Sequence, residues 1–325
     1  TARLFHSLDR VMRKEIDRDD FYASLLASGV HNGHQQLLPV SFNLPLVYAT
    51  RFENPDSIVI SPSEMRARAE TFTEIEEGRA TRLGFSPLWD RTFLYELVRQ
   101  SGFQASEAED GSPEWSLNAL LAGVNMGREW VEETNGGYAV DTAFQEKYLY
   151  NPIIRLVQDG RILFGFDRSD SFFQRSDLAR QGLAFRWLGT ESEVRALEDV
   201  VYAGIPDGAQ NRSGAEAFLS WLFKPESQHQ LLETNQQERI DSFGLVGGLS
   251  SLWRVTERSI PEFYPMLDAR IPPAEWIVFP PPSPRHWHAV VKEVVEPWLV
   301  REVANRPQSR DLTASIRAWL LQQEE

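Results

Sequence analysis

The chain has 325 residues, enough for about two domains, and with 42% hydrophobic residues, 19 Phe and 10 Trp it has ample core material, which excludes wholesale disorder. Its 33 Lys and Arg against 47 Asp and Glu give a net charge of −14, a balance that repels phosphate backbones and argues against nucleic acid as a partner. No apolar run approaches the ~18 residues of a membrane-spanning helix, and the absence of cysteine removes disulfides, thiolate metal sites and cysteine nucleophiles.

The first residue is Thr1 rather than Met, and no signal peptide precedes it, so the chain reads as a processed or cut product. Leu8, Val11, Met12 and Ile16 recur at helical spacing. Asp19 and Asp20 mark the start of a second helix with Phe21, Leu25 and Leu26 on its apolar face and Gly29 as its stop. Two short apolar runs follow, residues 36–42 and 45–49, broken by Pro39 and Pro45 and read as buried or edge strands.

Helix starts are signalled by Ser-to-Glu spacings at Ser61/Glu64, Ser213/Glu216 and Ser259/Glu262, where Ser can cap an N–H and Glu can reach back. Ser112-Pro113-Glu114 is expected to open a further helix through Leu117, Leu120, Leu121 and Val124. Ser283-Pro284 opens a long one that Pro297 should kink or end. Between these lie strand-like runs at 161–166, 183–188 and 199–205, and strands separated by long helices indicate an α/β protein.

Catalytic signatures are scarce. There is no phosphate loop, dinucleotide fingerprint or nucleophile elbow, and Gly244-Leu245-Val246-Gly247-Gly248 reads as a structural turn. His31 and His34 flank a turn-forming Asn-Gly, and His286 with His288 lacks acidic neighbours at metal-ligand spacing, so no metal is expected. Carboxylates are abundant, but none forms a distinctive pair, and Glu76-Glu77 and Glu132-Glu133 read as solvated helix ends. Most tryptophans should be core, Trp221 among them. Trp89 and Trp287 stand instead at loop-to-helix junctions, where a ring face can stack on a sugar.

Four segments together resemble the extracellular solute-binding proteins of ABC importers, in the sugar-binding branch of maltose-type and glycerol-3-phosphate-type binders. They are Leu38-Pro39-Val40-Ser41-Phe42-Asn43 with Val47-Tyr48, then residues 158–164, and the helix pair after Pro284. The most specific is Val201-Tyr202-Ala203-Gly204-Ile205-Pro206 with Phe218-Leu219-Ser220-Trp221-Leu222, Lys224-Pro225-Glu226 and Gln228.

The resemblance implies an α/β, two-lobe periplasmic-binding-protein-like fold (class II) with an interlobe cleft. Residues 1–46 and 203–252 would form the N-terminal lobe, and 47–202 and 253–325 the C-terminal lobe. It implies that about 80–90 residues usual in the family precede Leu8, so that the N-terminal lobe is incomplete here. No catalysis and no cofactor follow from it. The partners it implies are a sugar-like solute and a membrane permease, with the protein a monomer outside the cytoplasmic membrane, lipid-anchored through an upstream segment.

Carried over position by position, the ligand residues would be Ser41, Asn43, Trp89, Asp167, Ser169, Tyr202, Phe243, Gly244 and Trp287. Trp287 stands where the glycerol-phosphate branch has Arg, and losing that guanidinium removes a bidentate phosphate partner. A neutral sugar or glycoside is therefore favoured over a glycerol-3-phosphate or glycerophosphodiester ligand. A carbohydrate-active hydrolase using paired carboxylates is the alternative of a different class.

Overall fold

A computed structural model describes residues 4–108, 113–304 and 311–323. It is a mixed α/β structure whose chain divides into two compact units. The first comprises the described residues up to Leu44, Arg168–Ser176 and Ser192–Phe279; the second comprises Pro45–Asp167, Asp177–Glu191 and the chain from Pro280 onward. The expected boundaries at 202 and 252 therefore move to 191 and 279. Backbone pairing gives the reason: Val194–Arg195 runs parallel to Ile277–Val278, and the Leu197 N–H donates to the Asn43 carbonyl at 2.8 Å.

The first unit is built on Leu37–Phe42, flanked antiparallel by Val201–Gly204 and Leu249–Ser250. This strand is almost wholly buried, which explains its mostly apolar sequence. Pro39 has no N–H for the ladder, and the register shifts beside it, between Val201 and Tyr202. Helix Asp9–Glu15 buries Val11 and Met12 as their spacing predicts; the second helix, Ala23–Ala27, buries Leu25 and Leu26 but starts later than expected, because Asp19 and Asp20 form a separate short turn, Arg18–Asp20, that Phe21 ends. Asn32-Gly33 turns a two-stranded hairpin, Val30–His31 with His34–Gln35.

The second unit holds a four-stranded sheet in the order Gly165–Arg168, Pro45–Ala49, Ala184–Leu188, Val59–Ile60. Ala184–Leu188 is antiparallel to Pro45–Ala49 and parallel to Val59–Ile60. A side chain at Gly165 would meet the Tyr48 ring about 2.1 Å away, so glycine is what lets the neighbouring strand accept that tyrosine. Helix Arg91–Gln100 serves two cores. Phe93 and Leu97 join the cluster around Trp130 and Phe85, while Leu94 and Val98 join one around Leu120, Leu299 and Trp287.

Helix boundaries follow their caps. The Ser61 hydroxyl accepts from the Glu64 N–H at 3.1 Å and starts helix Pro62–Phe72. Helix Arg212–Leu222 is capped by Asn211, which accepts from Gly214, and not by Ser213, which lies inside its first turn. Ser259 is helical and continues a wide turn, Val255–Ser259, into Ile260–Phe263, so it caps nothing. Ser112 lies outside the described residues; the helix expected there is Leu117–Glu129, capped by Ser116.

Pro297 does not end its helix. A wide turn, Val291–Val295, precedes it and absorbs the missing N–H, so the helix continues through Glu296–Val303. Glu76 and Glu77 sit at a hairpin, with Glu76 closing strand Glu74–Glu76, rather than at a helix end. No helix among the described residues is long and apolar enough to cross a membrane.

Candidate functional site

Two of the sequence-derived ligand residues of the first unit, the buried Asn43 and Ser169, are hydrogen-bonded to each other. Asn43 Nδ2 donates to the Gly247 carbonyl at 2.9 Å. Asn43 Oδ1 accepts from the Ser169 hydroxyl at 2.6 Å and from the Asp170 N–H at 3.1 Å. Ser169 Oγ in turn accepts from the Leu44 N–H at 3.1 Å. Asn43 thus ties together the end of its strand, the turn at 244–248 and the start of helix Ser169–Gln174. A short polar side chain with two donors and an acceptor is the group that can join three backbone segments at once.

Beside this clasp Arg168 is held by two carboxylates. It forks onto Asp170 with two 3.0 Å bonds and also bonds Asp199. Burial works against the guanidinium charge, but hydrogen bonds and attraction from Asp170 and Asp199 outweigh it and hold the Arg168 pKa above its ordinary value. No spacing rule in the sequence connects Arg168 with Asp199.

Ser41 is buried and pairs through its backbone with Val201 on one side and Ser250 on the other. Tyr202, half-buried, shares a 2.6 Å hydrogen bond with the Ser28 hydroxyl, and burial raises its pKa. Phe243 is buried and stacks on Phe173 at 5.1 Å, with Tyr264 edge-on at 4.8 Å. Gly244 has φ +55°, and its N–H donates to the Tyr264 hydroxyl at 3.0 Å. A Cβ at Gly244 would fall about 2.0 Å from the Gly248 carbonyl, so this turn admits only glycine there.

Trp89 and Trp287 both belong to the second unit but lie in different surroundings. Trp89 is half-buried, closes the short helix Pro87–Trp89 and stacks on Phe144 at 5.7 Å. Trp287 is 2% exposed, and its indole N–H donates to the Tyr95 hydroxyl at 3.1 Å. Phe103 and Trp115 pack against its rings at 6.4 and 6.3 Å. The ring face expected to meet a sugar is thus occupied by core neighbours, and Trp287 is a packing residue in this conformation. Asp167, half-buried, lies on strand Gly165–Arg168.

Trp221 departs the other way. It is 40% exposed beside a 54% exposed Phe218 on the outer face of its helix, although its apolar neighbourhood predicts a core residue. Among the described residues no group of three or more His, Asp or Glu could hold a metal ion. His34 instead bonds Asp9 at 2.7 Å.

No protein-family model matches the sequence. No curated protein matches it by sequence either. Solved structures do match in fold. An ABC substrate-binding protein of Listeria monocytogenes in complex with cycloalternan aligns with a TM-score of 0.62 at 12% identity, over 99% of this chain and 80% of that one. A sugar transporter of Rhizobium etli in an open conformation aligns at 0.67 and 12% identity, over 97% and 79%. The maltose/maltodextrin-binding domain MalE of Bdellovibrio bacteriovorus, bound to maltotriose, aligns at 0.56 and 15% identity, over 99% and 80%. The chain therefore has the fold of the periplasmic binding proteins.

Proposed function

We propose that this chain is the solute-capturing component of an ABC importer, that its ligand is a sugar, and that it works by binding rather than catalysis. The supporting observation is the likeness over nearly the whole chain to sugar-binding proteins of that transport system. On this reading the protein acts outside the cytoplasmic membrane and delivers its ligand to a membrane permease. Trp89 and Asp167 are the candidate ligand contacts of the second unit and Tyr202 that of the first, all three half-buried. Ser41, Asn43, Ser169, Phe243 and Gly244 shape the surface on which the first unit receives the ligand.

An aromatic face suits the apolar side of a sugar ring, while hydroxyl and carboxylate groups suit its rim. Calorimetric titration with maltotriose, mannobiose and cycloalternan tests the reading. Trp89→Ala should weaken binding of the accepted sugar by about tenfold, the value of one aromatic contact. Unchanged affinity in that variant removes Trp89 from the site.

A further inference from the structure

Two complementary polar atoms of the second unit are buried and stand outside the regular hydrogen-bond pattern: the Trp89 indole Nε1, which can only donate, and Asp141 Oδ1, which can accept. A buried donor or acceptor left unmet is costly. Ser86, Asn135 and Trp89 all act on the Asp141 carboxyl as hydrogen-bond donors, against the burial that raises its pKa.

The elements around these atoms bring them together. Ser86 opens the short helix Pro87–Trp89, and its hydroxyl oxygen accepts from the Leu88 N–H at 3.2 Å, which leaves its proton for the carboxyl. Asn135 Nδ2 donates to Asp141 Oδ2 at 2.7 Å and to the Phe85 carbonyl at 3.1 Å, bridging the carboxyl to the chain just before that short helix. Asp141 and Phe144 are three positions apart on helix Tyr138–Tyr148 and share one of its faces. The Phe144 ring stacks on Trp89, with centroids 5.7 Å apart and planes within 14°, and Phe85 meets Trp89 edge-on at 5.8 Å. One helix face therefore supplies both an aromatic platform and a carboxylate.

The geometry points to Asp141 as a positioning residue for Trp89: its Oδ1 accepts the indole N–H, and with the Phe144 ring it fixes the orientation in which Trp89 is presented. Stacking alone lets an indole slide or turn in its own plane, whereas a directional N–H bond selects one edge. Fixing the ring before a ligand arrives removes an ordering cost from binding. A carboxylate suits the place because its two oxygens can accept from three donors, while an amide would add a donor of its own. The effect on binding rests on the reading of Trp89 as a ligand contact; the bond itself does not.

Proton–nitrogen NMR spectra of the full chain test the proposal, with Trp89→Phe identifying the Trp89 indole signal by its loss. In the wild type that proton should lie downfield among the indole signals, as expected of a bond to a carboxylate. In Asp141→Asn it should move upfield and exchange faster with solvent. Calorimetric titration of Asp141→Asn with maltotriose, mannobiose and cycloalternan should show a severalfold loss of affinity for the accepted sugar, no larger than the about tenfold expected of Trp89→Ala. Unchanged affinity in Asp141→Asn, where Trp89→Ala does weaken binding, overturns the positioning role. A Trp89 indole signal that Asp141→Asn leaves in place overturns the bond. If that variant does not fold, the wild-type spectrum decides, and a Trp89 proton at the upfield edge of the indole signals overturns the proposal. Should no sugar bind, the sugar reading falls while the indole signal still tests the bond.

Discussion

Asn43 carries more of the first unit than its size suggests. Replacing it by Ala would leave the Gly247 carbonyl, the Ser169 hydroxyl and the Asp170 N–H without their partner. Each stranded buried group costs on the order of 1–3 kcal/mol, part of which relaxation and water recover. Asn43→Ala should therefore lower unfolding stability by about 2–4 kcal/mol in a denaturant titration. Full stability with weakened sugar binding would show a ligand contact rather than a clasp. The candidate residues come from the resemblance of several separate segments to a known family. The bond between two of them was not legible, because Asn43 and Ser169 are 126 positions apart and only the folded backbone brings them together. Trp287 shows the same limit. A loop-to-helix junction is visible in sequence, but the Tyr95 hydroxyl that claims its N–H is 192 positions away.

Elements were legible where the local signal was unambiguous. Ser61-Pro62 sets the start of its helix, because Pro at the first helical position and a Ser cap act together. At the helix Arg212–Leu222 two caps compete, and Asn211 wins over Ser213. Asn211→Ala should cost about 1 kcal/mol, whereas Ser213→Ala should stay within about 0.5 kcal/mol of wild type. Equal losses in chemical denaturation would restore Ser213 as the cap. Pro297 was misleading because a proline's effect depends on whether the preceding turn can widen, and here Val291–Val295 does so. Trp221 was misleading because helical spacing reports which residues share a face, not whether another element covers that face.

For the molecule as a whole, the α/β class followed from alternating strands and helices, and the two-unit division from the resemblance. The later crossings shifted because pairing of Val194–Arg195 with Ile277–Val278 is a long-range choice that no local pattern encodes. The fold is that of proteins that bind sugars for import, and the central claim is that this chain does the same. Thermal unfolding in the presence of maltotriose, mannobiose and cycloalternan tests it most directly. A ligand that binds only the folded chain stabilises it by about 2.7 kcal/mol at a hundredfold excess over Kd, so at least one sugar should raise the melting temperature by several degrees in a concentration-dependent way. A melting temperature unmoved by every sugar across that range would contradict the account.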